Sequence, residues 1–549
     1  LRKFIYIILV IIFISCANQL PPSGGPVDKE PPEIINFYPA SGTINFNDDY
    51  FEFSFNEYVD KRSFQDAFFI SPKIDSKLEY NWSGKSVKIL FDKSKLKENT
   101  TYTINIGTDL IDINNRNKMI KSYNLFFSTG NKIDEGKITG KVYFSNEKDA
   151  FIFAYRDKGD SLNPSKIKPD YLTQVGNDGS FSLIGLGNGI YKLFAFTDEL
   201  RDVLYNAGED KYGVAYKDVE LSEKQNKAQE INFILAIEDT NKPGITNVTM
   251  TDKNHILVEF NEFIDSSKIS ANNFTIIDST KGVSLPIKYI FKNSKPKTYF
   301  LCFNDSLLNN SEYYVIAENI FDNSNNLLTK QELFLTQSSA IDTLKPKVVN
   351  VITKFDNKTI DFEEPNFVIN FNDGINLQNI LDNCKVFSSK NDEMTIDKSI
   401  IDDATLFIKI KESIKPKSKF KFVINTDKIF DAAGNKIDSL YQLDLSVVDD
   451  LVFSGVSGKV NKVNNIKKNI KIESKANKYE KELNEKGEFN FKNIVPGKYL
   501  LWIYEDSDSN NVYSNGKVFP YKNSEVFYVY PDTLNLRARW PIGDIEIDY

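Results

Sequence analysis

Phe51-Glu52-Phe53-Ser54-Phe55-Asn56-Glu57-Tyr58-Val59-Asp60 is the stretch that decides how the chain is read. Phe alternates with a smaller or charged residue three times, and a period of two places those rings on one face of a strand. Asn56-Glu57 ends the alternation. The phrase returns as Phe260-Asn261-Glu262-Phe263-Ile264-Asp265 behind Ile256 and Val258, and more loosely as Phe371-Asn372-Asp373-Gly374-Ile375 behind Phe367 and Ile369. Three half-buried strands with one ending predict three copies of one β unit.

Two further landmarks follow each copy in the same order. The first is Thr100-Thr101-Tyr102, Ser311-Glu312-Tyr313 and Ser418-Lys419-Phe420. The second is Leu110-Ile111-Asp112-Ile113-Asn114-Asn115, Ile320-Phe321-Asp322-Asn323-Ser324-Asn325 and Ile429-Phe430-Asp431-Ala432-Ala433-Gly434-Asn435. From the Phe of the opening phrase to this Asp is 57, 62 and 60 residues. These segments resemble the bacterial Ig-like domain of surface-layer proteins and Bacteroidota lipoproteins, with its FSE-type strand end, Thr-Tyr strand and DxxGN turn. The resemblance spans about 33–131, 241–341 and 342–450. The middle copy departs from it at Asn323-Ser324-Asn325, where a Gly-Asn turn belongs. Short alternating strands between polar turns independently suit an antiparallel sandwich.

A second repeat occurs twice. Gly140-Lys141-Val142 matches Gly458-Lys459-Val460, and Gly179-Ser180-Phe181…Gly189-Ile190-Tyr191 matches Gly487-Glu488-Phe489…Gly497-Lys498-Tyr499. A turn glycine starts a short strand and a second turn glycine launches the Tyr strand. The Asp178-Gly179-Ser180-Phe181…Leu186-Gly187-Asn188-Gly189-Ile190-Tyr191 hairpin resembles the carboxypeptidase-regulatory or transthyretin-like fold, an accessory and not a catalytic module in that family. It spans about 132–240 and 451–549. The expected architecture is therefore all-β, with three Ig-like and two transthyretin-like antiparallel sandwiches in tandem.

Composition agrees with this class. Aromatic residues make up 13 % and charged residues 26 % of the 549 residues, with 42 Phe and 27 Tyr. That is too apolar for disorder and suited to pleated, half-buried surfaces. A net charge of −8 with interspersed Lys gives no electrostatic reason to seek nucleic acid. The three cysteines, Cys16, Cys302 and Cys384, form neither a disulfide framework nor a CxxC pair. Cys302 lies within the apolar run Tyr299-Phe300-Leu301-Cys302-Phe303 and is expected to be a buried strand residue. The single histidine, His255, excludes Ser-His triads and His-rich zinc sites. It opens the strand His255 to Phe260, and a surface or strand-edge imidazole is expected.

Arg2 and Lys3 precede an eleven-residue apolar run, Phe4 to Ile14, followed by Ser15-Cys16. Eleven residues are too few to span a bilayer, and the pattern is that of a secretory leader, residues 1–16. Phe13-Ile14-Ser15-Cys16 resembles a lipobox, with Phe13 where Leu is usual, and implies acylation of Cys16. Multiple acyl chains, at about 0.8 kcal/mol per buried methylene, tether a protein without spanning the membrane. An ordinary leader with a chance cysteine is the alternative. Residues 17–32 are rich in Pro and Gly and read as a linker. Ala17 after the cysteine resembles the outer-membrane sorting signal of Gram-negative lipoproteins, and which face the body occupies stays open.

The candidate metal ligands are Asp506, Asp508 and Asn510, in Glu505-Asp506-Ser507-Asp508-Ser509-Asn510-Asn511. Alternate oxygens on a turn suit calcium. The loop is no EF-hand, since its sixth position is Asn511 and its twelfth Lys517, and a solvated turn accounts for the same residues. Glu57, Glu262 and Asp373 recur at one strand end but fall in separate modules, so a strand-end turn role is expected and a carboxylate glycosidase site is not. Trp502 and Tyr504 alternate with Leu501 and Ile503, which puts one pair on the core face and the other away from it. Leu536-Arg537-Ala538-Arg539-Trp540 suits a docking segment or an edge strand. The expectation is a non-enzymatic outer-membrane lipoprotein without cofactor, unless calcium, that binds or scaffolds another envelope protein. A surface adhesin or carbohydrate-binding lipoprotein is the alternative.

Overall fold

The computed structural model describes all residues except 1–27, 144–149, 157, 305–306, 308–310, 356–357, 426–428, 438–439, 462–465 and 549. Cys16, the leader and most of the 17–32 linker lie outside the described residues. No helix among the described residues is long and apolar enough to cross a membrane. The chain divides into two compact units, residues 1–238 with 510–527, and residues 239–509 with 528–549.

In the first unit, β1 (Ile34–Tyr38), β2 (Tyr50–Phe55), β4 (Glu79–Ser83) and β5 (Ser86–Leu90) form a sheet in the order β1-β2-β5-β4. It faces a second sheet of β3 (Phe68–Ser71), β6 (Thr101–Ile106) and β7 (Tyr123–Ser128), and α1 (Lys61–Ala67) links β2 to β3. The alternation in β2 does what its period demands. Phe51, Phe53 and Phe55 are fully buried between the sheets, while Glu52 is exposed. Each such ring contributes about 1.5–3 kcal/mol of apolar burial. Asp60 accepts from the Ser63 amide and so caps α1.

The second unit repeats this sandwich twice. Strands 245–250, 255–260, 298–302 and 289–292 take the order seen in β1-β2-β5-β4, as do 348–353, 366–371, 405–410 and 396–402. Even the irregularities coincide. The first strand bulges between Ile34 and Asn36, Ile245 and Asn247, and Val348 and Asn350. Beyond the ladder, Asn56, Asn261 and Asn372 each accept from the amide just before that strand, at 2.7, 2.8 and 2.6 Å.

The second kind of sandwich also occurs in both units. Strand 136–143 pairs with 180–186 on one side and, in parallel, with 227–228 and 233–234 on the other. Strand 454–460 likewise pairs with 488–494 and, in parallel, with 542–547. Gly140 and Gly458 occupy this strand because a Cβ there would lie 1.8 Å from the Ile231 carbonyl oxygen and 2.2 Å from that of Ile545. Tyr191 and Tyr499 donate to the carbonyl four residues back, Gly187 and Val495, both at 2.7 Å. Leu501 and Ile503 lie in the core as the alternation requires. Trp502 and Tyr504 lie outside that core, yet they too are buried, with the Lys471 ammonium 5.0 and 4.6 Å from their rings.

Candidate functional site

The corner of each Ig-like sandwich where the opening phrase ends gathers three carboxylates. They are Asp28, Glu57 and Asp112 in the first, Asp239, Glu262 and Asp322 in the next, and Asp342, Asp373 and Asp431 in the last, and in each trio one oxygen per residue lies within 4.8 Å of the others. The middle member is the acid two residues past the landmark Phe, and the third is the Asp of the second landmark. Short isolated bridges, Val59 to Asp112, Ile264 to Asp322 and Ile375 to Asp431, hold these two segments side by side.

The first member comes from the segment leading into each sandwich, and one Asn holds it there. Asn117, Asn326 and Asn435 donate their side-chain amides to the carbonyls of Asp28, Asp239 and Asp342, at 3.2, 3.0 and 3.4 Å. The turn that presents this Asn is the same in all three. The residue before it has positive φ: Arg116 at 58°, Asn325 at 65° and Gly434 at 88°. The missing glycine of the middle copy thus leaves the turn intact, since Asn tolerates this conformation.

The turn role expected of Glu57, Glu262 and Asp373 is therefore incomplete, because each copy brings two further acids of its own. The signal that finds the leading acid is Asp-x-x-x-Pro: Asp28 to Pro32, Asp239 to Pro243 and Asp342 to Pro346, each Asp six residues before the first strand. Two unit charges 4 Å apart repel by about 4 kcal/mol at an effective dielectric constant near 20. Asp112 relieves part of this by accepting the amides of Asn115, Arg116 and Asn117 at 2.7, 2.9 and 3.0 Å. Burial opposes its charge, but these amides hold its pKa below the usual range. Glu57 and Glu262 go the other way, raised by burial and then by the neighbouring acids. Oε1 of Glu57, Oε1 of Glu262 and Oδ2 of Asp431 are shielded from solvent without a hydrogen-bond partner.

Beside the last trio sits His255, whose expected surface position is overturned. It is 6 % exposed, with Nδ1 2.8 Å from Asp252 Oδ1 and Nε2 2.9 Å from Asp373 Oδ1. A ring facing a carboxylate on both nitrogens donates from both, which makes it an imidazolium. Burial opposes that charge, but the two carboxylates outweigh it and raise the pKa well above the ordinary value. Cys302 lies buried beside it, as expected of a strand residue, its thiol pushed up to about 11 by burial.

In the expected calcium turn a carboxylate oxygen of Asp506 and one of Asp508 lie within 4.8 Å of each other, although the two residues differ in burial. Asp506 is 1 % exposed and lies 3.4 Å from the Asn469 side-chain amide and 3.9 Å from the Lys467 ammonium. Asp508 and Asn510 are exposed, and Asn510 accepts the Val512 amide at 2.6 Å. Trp540 is 74 % exposed on a turn with Arg537 and Arg539.

The model of the bacterial Ig-like domain family matches residues 28–129, a span that takes in the whole first trio. No curated protein matches the chain. Among solved structures, the N-terminal part of the bacterial S-layer protein SbsC is 14 % identical, with TM-score 0.17, covering 38 % of this chain and 45 % of its own. The BSP domain of a biofilm-associated protein is 9 % identical, with TM-score 0.17 and coverage of 78 % and 99 %. The major pilin subunit BcpA of Bacillus cereus is 10 % identical, with TM-score 0.13 and coverage of 75 % and 99 %. The chain spans less than half the length of the SbsC fragment. What is shown is a bacterial Ig-like domain over 28–129, within a chain of tandem β-sandwiches.

Proposed function

We propose that the chain is an outer-membrane lipoprotein that acts as a non-catalytic binding or scaffold protein, presenting a series of β-sandwiches to another protein of the cell envelope. The single observation that carries the anchoring is the order of Arg2-Lys3, the apolar run Phe4 to Ile14, and Ser15-Cys16. The tandem sandwiches and the scarcity of His and Cys support a role in binding over one in catalysis. The exposed Arg537-Ala538-Arg539-Trp540 turn is the docking feature, since Trp and Arg are enriched where interfaces are strongest.

The test begins with labelled palmitate fed to cells producing the full chain. Label and outer-membrane fractionation are expected, with both lost in Cys16→Ala. A Cys16→Ala protein still found in the outer membrane would remove the anchor from this reading. Cross-linking in intact cells is expected to trap an envelope protein, more weakly with Trp540→Ala. The alternative, a surface adhesin or carbohydrate-binding lipoprotein, requires that protease added to intact cells degrade the chain and that glycan binding follow.

A further inference from the structure

We propose that each of the three Ig-like sandwiches binds one divalent cation of the calcium class at its acidic corner. The ligands are Asp28, Glu57 and Asp112, then Asp239, Glu262 and Asp322, then Asp342, Asp373 and Asp431.

The argument starts from the donor set. Carboxylate oxygens alone, with no thiol and no ring nitrogen needed, select a hard cation. Three acids on three separate segments, one of them from the lead-in, suit the variable geometry of calcium better than the rigid octahedron of magnesium. Acidic clusters are common, so the decisive observation is a different one. Asp431 is 3 % exposed; its Oδ1 accepts the Asn435 amide at 2.8 Å, and its Oδ2 has neither water access nor a partner. A buried carboxylate oxygen left bare is costly and rare. In the other two sandwiches the bare oxygen belongs to the middle acid instead, Glu57 and Glu262, in the same corner. One shielded carboxylate oxygen without a partner thus occurs in all three corners, and a shared ligand explains all three.

Nearby protein cations do not fill this role. Lys85 and Lys297 lie close, but their ammonium groups bond the carbonyls of Asn56 and Asn261, at 2.6 and 2.7 Å. The imidazolium of His255 takes Oδ1 of Asp373 and is itself shared with Asp252. The trios keep an excess of negative charge in each case. The Asn tether has a clear purpose in this light: it pins the lead-in carbonyl beside the carboxylates, so binding an ion stiffens the entry to each sandwich.

The test is calorimetric titration of the chelator-stripped full chain with calcium chloride, and separately with magnesium chloride. Three calcium equivalents are expected in the range of about 10⁻⁴ to 10⁻³ M that extracellular modules show. Glu57→Gln, Glu262→Gln and Asp431→Asn should each remove one equivalent and leave two. Asp506→Asn with Asp508→Asn should leave the three intact. Glu57→Lys guards against misfolding, since a tethered ammonium would abolish its equivalent yet raise the calcium-free melting temperature. The proposal is overturned if no heat appears up to about 10 mM calcium. It also fails if the single variants keep three equivalents, or if magnesium binds as tightly as calcium. Loss of the Cys16 anchor would not touch any of these outcomes.

Discussion

The acidic corner of the last Ig-like sandwich and those of the other two share their carboxylates and their Asn tether, yet three surrounding positions differ. Where two copies have Glu57 and Glu262, the last has Asp373. Where they have Tyr58 and Phe263, both more than half exposed, it has Gly374. The backbone carbonyl that accepts the landmark Phe amide belongs to Lys85 and Lys297 in two copies and to Ala404 in the last. One cause explains all three changes. Within the second unit, Phe291 and Cys302 of one sandwich complete the core of the next, and a Cβ on Gly374 would lie 2.7 Å from Tyr289 Cβ and 3.3 Å from Cys302 Sγ. The packed neighbour leaves no room for a large side chain and supplies its own cation, His255, in place of the lysine. A repeated site thus keeps its ligands and adapts its surroundings to whether another sandwich covers it.

The largest effect that can break this comparison is removal of the imidazolium. His255→Ala leaves Asp252 and Asp373 facing a void, with the Asp373 side chain only 5 % exposed. Stripping one partner from a buried ion pair costs about 3–5 kcal/mol. Hydrogen exchange should accelerate in strands 255–260 and 366–371, and chemical unfolding should begin at lower denaturant. Adding Asp373→Asn should recover much of the loss, because it removes the stranded charge. If His255→Ala unfolds like the parent, the ring is incidental. Next in size is Gly374→Tyr, which copies the first sandwich into the last. Overpacking of this kind costs about 1–3 kcal/mol. The reverse change, Tyr58→Gly, should be far milder, because Tyr58 is exposed. Equal costs for the two would show that Gly374 does not answer to its neighbour.

Local patterns carried the sandwiches and failed at their contacts. Phe51, Phe53 and Phe55 lie inside because period two and a mixed sequence force one face inward, and the same rule located strands 255–260 and 366–371. Asp28, Asp239 and Asp342 are legible too, at a fixed six residues before the strand, but module bounds at 33, 241 and 342 leave Asp28 in the linker and Asp239 in the preceding module, and only Asp342 inside its own. His255 could not be placed that way. It opens a strand, so it reads as an edge residue, and its second carboxylate is 118 residues away. Trp502 shows the same limit, since alternation tells two faces apart and says nothing about whether the second is covered.

Another pair of buried acids tests what distinguishes the trios. Asp198 and Asp210 are buried in the first unit, but their oxygens are met by backbone amides: those of Asp202 and Val203 on Asp198, at 3.1 and 3.2 Å, and those of Glu199 and Asn206 on Asp210, both at 2.7 Å. No cation is needed there. Burial first, and then the charges of Asp210 and Asp202, outweigh these amides and push the Asp198 pKa up to about 6. A carboxyl whose pKa is higher folded than unfolded holds its proton longer in the native state. Its contribution to stability is therefore fully present below about pH 4 and lost as pH rises through about 6. Asp198→Asn should flatten the pH dependence of first-unit unfolding across that window, with or without calcium. A pH profile unchanged by the substitution would mean that Asp198 does not hold that proton.

The smallest effect separates an exposed cation from the buried one. Lys297 lowers the pKa of Glu262 that burial and its fellow acids raise, and its ammonium reaches the Asn261 carbonyl across partly open surface. Lys297→Gln keeps a donor for that carbonyl and removes only the charge. Exposed ion pairs contribute about 0–1 kcal/mol, so the calcium-free stability should fall by less than that. Calcium should then bind the Asp239–Glu262–Asp322 corner a few-fold more tightly, because a competing positive charge has gone, while the last sandwich is unaffected. A loss rivalling that of His255→Ala would mean that the lysine is as integral to its corner as the imidazolium is to its own, and the difference between covered and open corners would disappear.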